Sequence, residues 1–371
     1  MITVNSGFDG GAISVISAES ADNIQLQINT DNQSCTRQWF YFSVGTTRAR
    51  QQTIRLINAS QSSFAEAWHG YQAFASYDNE HWFRVDTRYQ QGELVLTHQS
   101  SEKLVYYAYF VPYSASRETR LLQELSEHSV VNLTKLGKTP LGRDITLIRI
   151  GSLQSGARKV WLMARQHPGE TMSQWVAEGV IKHLTSHFAT QHAAVNITFY
   201  IVANMNPDGA ALGNHRTNAN GINLNRHWAT PDPERCPEVY FVKQAMLQTG
   251  VDILVDIHGD EMLPYNFIMS ESKHPFVEQI KHALAIEDDN FQSLYDYNNT
   301  LSACNNADCG SGCGQLKATT FVHQQFVVPA LLLESPFKAI QAKGESKNWD
   351  HTTAANLGAS LARVLIATSA P

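Results

Sequence analysis

The sequence predicts a chain in two parts: an all-β antiparallel sandwich, followed by an α/β domain built on a mixed sheet. Three observations carry this. Residues 1 to about 115 hold short alternating or aromatic runs separated by Gly, Asn, Asp and Ser, which is the pattern of a sandwich. From about residue 130, continuous apolar runs alternate with segments of helical period, which is the pattern of a sheet covered on both faces. A length of 371 residues suits two domains better than one. The division is expected at residues 1–115 and 116–371.

In the first part, strands are expected at Gln25–Ile28, Trp39–Val44, Thr53–Ile57, Trp82–Val85, Glu93–Leu96 and Leu104–Val111. No chemical constellation stands out among them, so this part is expected to brace or shape the second. Pro112-Tyr113-Ser114 marks the boundary. Ser116–His128 follows as a helix, with Leu121, Leu122 and Leu125 on one face. Buried strands are expected at Lys159–Arg165, Asn196–Ala203, Val251–Ile257 and Ala330–Glu334. Glu170–Phe188 reads as a helix, with Val176, Val180, Leu184 and Phe188 at four-residue spacing. Leu357–Ile366 reads as a closing helix.

Charge excludes some functions. With 28 Lys+Arg against 34 Asp+Glu, the formal net charge is −6, which argues against a general nucleic-acid binder or a polybasic membrane anchor. No run approaches the roughly 20 apolar residues of a membrane span. The start, MITVNSGFDGGAISV, has no Lys or Arg before its first apolar stretch, so no secretory signal is expected there. Five cysteines, an odd number, are then expected to be mostly reduced, in a cytoplasmic protein. Cys304, Cys309 and Cys313 lie in CNNADCGSGCG, whose spacing matches no standard zinc pattern and reads as a Gly-rich loop bearing buried or partly oxidised thiols.

In open α/β sheets, ligands bind outside the carboxyl ends of the strands. Polar groups follow each buried strand here: Gln166-His167-Pro168-Gly169-Glu170, then Asn204-Met205-Asn206-Pro207-Asp208-Gly209, then His258-Gly259-Asp260-Glu261, and finally Glu334. His167 and Glu170 stand three apart at a strand-to-helix junction, where a turn can aim both at one point. With His258 they make a His₂Glu set, and three protein ligands plus an open position is the usual arrangement of a catalytic zinc. Taken alone, His-x-x-Glu is better explained by an acidic residue at a helix start; His258 on a neighbouring strand end reverses that preference. Asp256, two residues before His258, lies on the same face of its strand and suits either a carboxylate orienting that histidine or a local cap.

The stretch Gly213–Trp228 is dense in Asn and holds Arg216 and Arg226. A guanidinium fork grips a carboxylate bidentately, and a second can stabilise charge developing on a carbonyl oxygen. Asn225 can add a donor to the same carboxylate. Glu334 ends a strongly apolar strand, where an unpaired carboxylate is costly. Beside zinc it makes sense as the general base of a hydrolysis, passing its proton on to a leaving amine.

HPGE, NPDG, GNHR…NLNRHW, DIHG and LLLES occur in this order. Together they resemble the zinc metallocarboxypeptidases, and within them the cytosolic carboxypeptidase branch. The catalytic motifs cover roughly residues 130 to 370. That branch also carries an all-β domain before the peptidase domain, and its junction is similar to YYAYFVPYS at residues 106–114. The resemblance implies one Zn²⁺ per chain, held by His167, Glu170 and His258. It implies that Arg216 polarises the scissile carbonyl, that Asn225 and Arg226 hold the substrate's terminal carboxylate, and that Glu334 is the general base. The implied partners are peptide or protein C-termini, with no nucleic acid and no membrane. The branch often removes acidic residues, which calls for a basic group in the specificity pocket. Lys317 is the candidate; a register shift of one or two residues brings Thr319 there instead, and a merely solvated lysine is the third reading.

Two rivals differ in class. A zinc deacylase of small N-acyl amino acids would use the same residue types, and a peptide panel run against an N-acyl amino acid panel separates it. A binding module with a vestigial zinc site would hold zinc without turnover; intact Glu334 and Arg216 weigh against it.

Overall fold

The computed structural model describes residues 2–152, 154–190, 196–271, 274–294, 316–342 and 344–369. The expected loop cysteines Cys304, Cys309 and Cys313 lie outside them.

The N-terminal part is a sandwich of two five-stranded sheets. One runs in the order Ile2–Asn5, Tyr41–Thr46, Leu104–Ala108, Phe74–Ser76, Trp82–Arg84. The other runs Ser14–Ser20, Asn23–Gln27, Gln51–Leu56, Glu93–Gln99, Asp86–Gln90. Pairing is antiparallel throughout except between Asn23–Gln27 and Gln51–Leu56. Alternation explains these strands: Gln52, Ile54 and Leu56 turn inward while Gln51, Thr53 and Arg55 do not. The strands at Ile2–Asn5, Ser14–Ser20, Asp86–Gln90 and Phe74–Ser76 were not expected: the first three hold no fully buried residue, and the last, though buried, is only three residues long. Cys35 is disulfide-bonded, whereas Cys236 is free and buried.

The second part is built on a seven-stranded mixed sheet. Its order is Val131–Lys138, Asp144–Gly151, Ile197–Val202, Arg158–Ala164, Ile253–Asp260, Ala330–Pro336, Phe267–Ser270. The four central strands are mutually parallel, so their carboxyl ends share one edge. All eight residues of Ile253–Asp260 are buried, as expected of a central strand covered on both faces. That strand runs on past Ile257, so His258 is part of the sheet rather than of the loop after it.

The helix Ala115–Ser126 is capped by Ser114, whose hydroxyl accepts from the Arg117 amide. The junction is tied to the second part at several points. The Val111 carbonyl accepts from Thr171 and Trp175, and the Tyr113 hydroxyl donates to Glu178, which also takes a bidentate grip from Arg117. Apolar packing is continuous across the two parts, with Tyr109 stacked on Phe337 at 4.2 Å between ring centres.

The helices Thr171–Thr190 and His351–Ser369 cross at glycines. A Cβ on Gly179 would overlap the carbonyl oxygen of Ala355, and one on Gly358 that of Val176. Gly358→Ala is therefore expected to cost about 1–3 kcal/mol or more, because the helices must move apart to admit a methyl group. A fall in the urea midpoint at constant m is the expected reading. An unchanged midpoint would mean that the crossing yields easily.

Candidate active site

The shared strand edge positions the site. The chain leaves Arg158–Ala164 through Arg165, a non-glycine residue at φ 60°. That costly conformation is held by its guanidinium, which donates to the carbonyls of Pro168 and Tyr113 and to Gln174. The turn so fixed carries His167 and, at the mouth of the next helix, Glu170. His258 arrives on Ile253–Asp260, and Glu334 sits opposite it in register on the parallel neighbour. Gly259 has its own reason: a Cβ there would press on the Met172 sulfur and the Glu170 side chain. Without one, its amide reaches Glu170 Oε2 at 3.0 Å.

His167, Glu170 and His258 bring their ligand atoms within 4.8 Å of one another, and all three residues are buried. Glu170 Oε1 lies 2.6 Å from His167 Nδ1, and Glu170 Oε2 lies 2.8 Å from His258 Nδ1. Both Nδ1 atoms thus converge, while each Nε2 turns to an orienting partner. His167 Nε2 meets Asn223 Oδ1 at 3.1 Å, and His258 Nε2 meets Asp256 Oδ2 at 3.1 Å. Asp256 accepts in turn from Gln166, and Gln166 from the Trp228 indole. Such a shell fixes which nitrogen of each imidazole is offered to a cation. The donor set fits zinc: two imidazoles and one carboxylate, three ligands with a side left open.

The two imidazoles are shifted in opposite directions. Burial pushes the His167 imidazolium down to about 4, against the pull of Glu170, so the ring is neutral as a ligand must be. Arg216 adds to that depression, which places its charge within reach of the cluster. Burial works against ionising Glu170, but His167 and His258 outweigh it and hold it well below the usual range. Burial likewise opposes a charged His258, but Asp256 and Glu170 outweigh it and raise it well above the usual range. Burial, with Asp260, Glu170 and Glu261 adding repulsion, raises Glu334 well above the ordinary carboxyl range against the pull of His258. One of its carboxylate oxygens, Oε2, is buried without a hydrogen-bond partner.

The other expected residues fall nearby. Arg216 is buried, its guanidinium 5.9 Å from the Phe64 ring centre. The Asn225 amide nitrogen lies 3.2 Å from His258 Nε2, and its oxygen accepts from Ala318 at the start of the helix Ala318–Phe326. Arg226 donates to the Asn225 carbonyl. Lys317 stands at the position before that helix without a capping hydrogen bond and is exposed, whereas Thr319 is buried. NPDG is scaffolding: Asn206 caps the helix Pro207–Leu212, and buried Asp208 grips Arg143 and the Leu141 amide.

Sequence reasoning missed Gln166, Asn223 and Asp31. Gln166 opens the quoted run before HPGE and Asn223 opens NLNRHW, so both were in view without a role; Asp31 gives no signal beyond a turn-forming residue.

Asn218, in the same Asn-rich stretch, donates to Glu238, whose carboxyl is fully buried and pushed up to about 7 by desolvation. An unfolded chain releases this proton near the ordinary 4.5, so between those values the native state binds more protons. The stability contributed by Glu238 therefore falls as pH rises from 4.5 through 7, by up to about 1.4 kcal/mol per pH unit. Urea unfolding at pH 5 and pH 8 is expected to show this decline, and Glu238→Gln to lessen it; equal slopes in the two proteins would contradict the assignment.

Among the described residues, no helix is long and apolar enough to cross a membrane. Residues 4–110 match the family model described as "Cytosolic carboxypeptidase N-terminal domain", and residues 118–349 match "Zinc carboxypeptidase". A metallo-carboxypeptidase from Burkholderia cenocepacia superposes with a TM-score of 0.90 at 34% identity, covering 99% of both chains. One from Pseudomonas aeruginosa, in complex with (2-guanidinoethylmercapto)succinic acid, gives 0.89 at 36% identity, covering 98% of both. Mouse cytosolic carboxypeptidase 6 is 26% identical over 72% of this chain, which spans 55% of that relative's length. The fold, the buried His₂Glu cluster and these matches converge: the chain belongs to the zinc carboxypeptidase family.

Proposed function

We propose that this protein removes single residues from the C-termini of peptides or proteins, with residues 1–115 as a shaping module and 116–371 as the catalytic one. The observation that carries this reading is the pairing of His258 with Glu334 across adjacent parallel strands. It sets a carboxylate with a free buried oxygen beside a three-ligand metal site.

His167, Glu170 and His258 hold the zinc. Bound there, zinc supplies Lewis acidity to the scissile carbonyl and the attacking water. Glu334 takes the proton from that water and hands it to the departing amine. Arg216 faces the carbonyl oxygen and stabilises the charge that develops on it. Asn225 and Arg226 grip the terminal carboxylate, and Lys317 is the candidate for meeting an acidic side chain next to it. The ligand named with the Pseudomonas aeruginosa relative is a dicarboxylate that also carries a guanidino group; its carboxylates support a grip on a terminal carboxylate, while the guanidino group speaks against Lys317. The match of residues 4–110 supports a cytoplasmic protein.

Zinc-loaded protein incubated with peptides that differ only in the last residue, with products read by mass spectrometry, tests this. Single-residue losses are expected, and C-terminally amidated peptides should resist. Arg226→Ala should raise KM at least about tenfold, the scale of a lost charge-assisted contact of 1.5–3 kcal/mol, with a smaller change in kcat. Equal cleavage of amidated and free peptides would remove the exopeptidase reading. Release confined to Glu or Asp would support Lys317.

A further inference from the structure

The loop that carries Arg216 is not held by the catalytic part alone. Asp31, on the loop after the strand Asn23–Gln27 of the sandwich, reaches into it and is buried, at 4% exposed. Its Oδ1 accepts from the His215 amide at 2.6 Å. Its Oδ2 accepts from the amides of Arg216 at 2.8 Å and Thr217 at 2.9 Å, and from the Thr217 hydroxyl at 3.1 Å. Three successive amides aimed at one carboxylate require the backbone to curl around it, as in an anion-binding nest. That curl fixes the direction in which the Arg216 side chain departs. The next two residues reinforce the grip: Asn32 exchanges contacts with Asn214 and donates to the Ala219 carbonyl, and so does Gln33.

On its far side the same loop is pinned by His215. Its Nε2 lies 2.6 Å from Glu261 Oε1, just beyond the strand that bears His258. The His215 ring lies among Phe64, Tyr109 and Phe337. Arg216 is thus suspended between a carboxylate of the sandwich and one from the edge of the catalytic sheet.

We propose that Asp31 is a positioning residue for the reaction: by gathering the His215, Arg216 and Thr217 amides, the N-terminal sandwich aims the Arg216 guanidinium at the substrate carbonyl. This rests on the role given above to Arg216. It assigns the sandwich a part in turnover rather than in folding alone. A carboxylate is needed there because it only accepts, whereas the NH₂ of an asparagine would confront donors.

The test is a double-mutant cycle on full-length, zinc-loaded protein, with kcat and KM measured on a free-acid peptide and zinc content determined for each variant. Asp31→Asn should lower kcat per bound zinc about 10–100-fold, the scale of a small misplacement of a catalytic group. Its KM should move little, because the groups gripping the terminal carboxylate are untouched. In an Arg216→Ala background the same change should cost almost nothing more, since Asp31 acts through Arg216. A purely structural role would lower the yield of zinc-loaded protein, or would multiply fully with the loss from Arg216→Ala; full multiplication, or wild-type kcat in Asp31→Asn, overturns the proposal. Wild-type turnover in Arg216→Ala overturns the role of Arg216 itself, and that of Asp31 with it. Should Asp31→Asn not fold, Thr217→Val, which deletes only the hydroxyl contact, is read in the same cycle. There a several-fold loss of kcat that vanishes beside Arg216→Ala supports the proposal, and no loss overturns it.

Discussion

Glu334→Gln is expected to leave a folded protein that binds zinc as before and turns over about 10²–10⁴-fold more slowly, the range for removal of a general acid–base group. The substitution keeps shape and volume. The hydrogen bonds of the three ligand side chains to one another, to Asn223, Asp256 and Asn225 and to the Gly259 amide are left in place. What it removes is a carboxylate oxygen buried without a partner beside the cluster. A group kept in that costly state makes sense where a proton has to be received and returned. Turnover within a few-fold of wild type, at full zinc content, would strip Glu334 of its role and leave the metal assignment standing.

Glu170→Ala is expected to have the larger effect by another route. Glu170 bonds both ligand imidazoles and the Gly259 amide, so its loss removes one ligand and loosens the other two. Zinc content after gel filtration should fall from one per chain towards none, and hydrolysis with it. The melting temperature should then stop responding to added zinc, because stabilisation by a ligand requires binding to the native state. A chelator should imitate this in the wild type, with zinc restoring activity. The two variants separate the roles, one inactive with its metal and the other inactive without it. Retention of one zinc per chain in Glu170→Ala would refute the ligand set.

Much of this was legible in the sequence because the α/β part writes its strands in apolar runs and its chemistry at their ends. Lys159–Arg165, Val251–Ile257 and Ala330–Glu334 lie within a residue or two of observed strands, save that the second extends past His258. The His₂Glu set follows from chemistry: few other reasons gather two His and a Glu at one strand edge. The hairpin Val131–Lys138/Asp144–Gly151 was not legible, since its first strand is an edge with no fully buried residue. Helix Pro237–Thr249 was hidden by apolar residues spread around its whole circumference, which blurs the helical period. NPDG stands among the polar groups at the strand ends, but its short polar residues cap a helix and hold Arg143 and the Leu141 amide, which only their partners reveal. Asp31 was invisible because its significance depends on backbone amides more than 180 residues away.

The register between His258 and Glu334 has a consequence for how such an enzyme can diverge. Neighbouring strands sit about 4.8 Å apart, a spacing set by backbone hydrogen bonds and indifferent to side chains. His258 and Glu334, the base proposed above, are therefore separated by a ruler that substitutions in the surrounding loops cannot stretch. An insertion or deletion of one residue before either position within these strands would turn that side chain to the opposite face of the sheet. Length variation among descendants should accordingly gather in the connections, where pocket shape is decided, while the two strands keep their count. New specificities can then be acquired by loop grafting without retuning the hydrolytic pair.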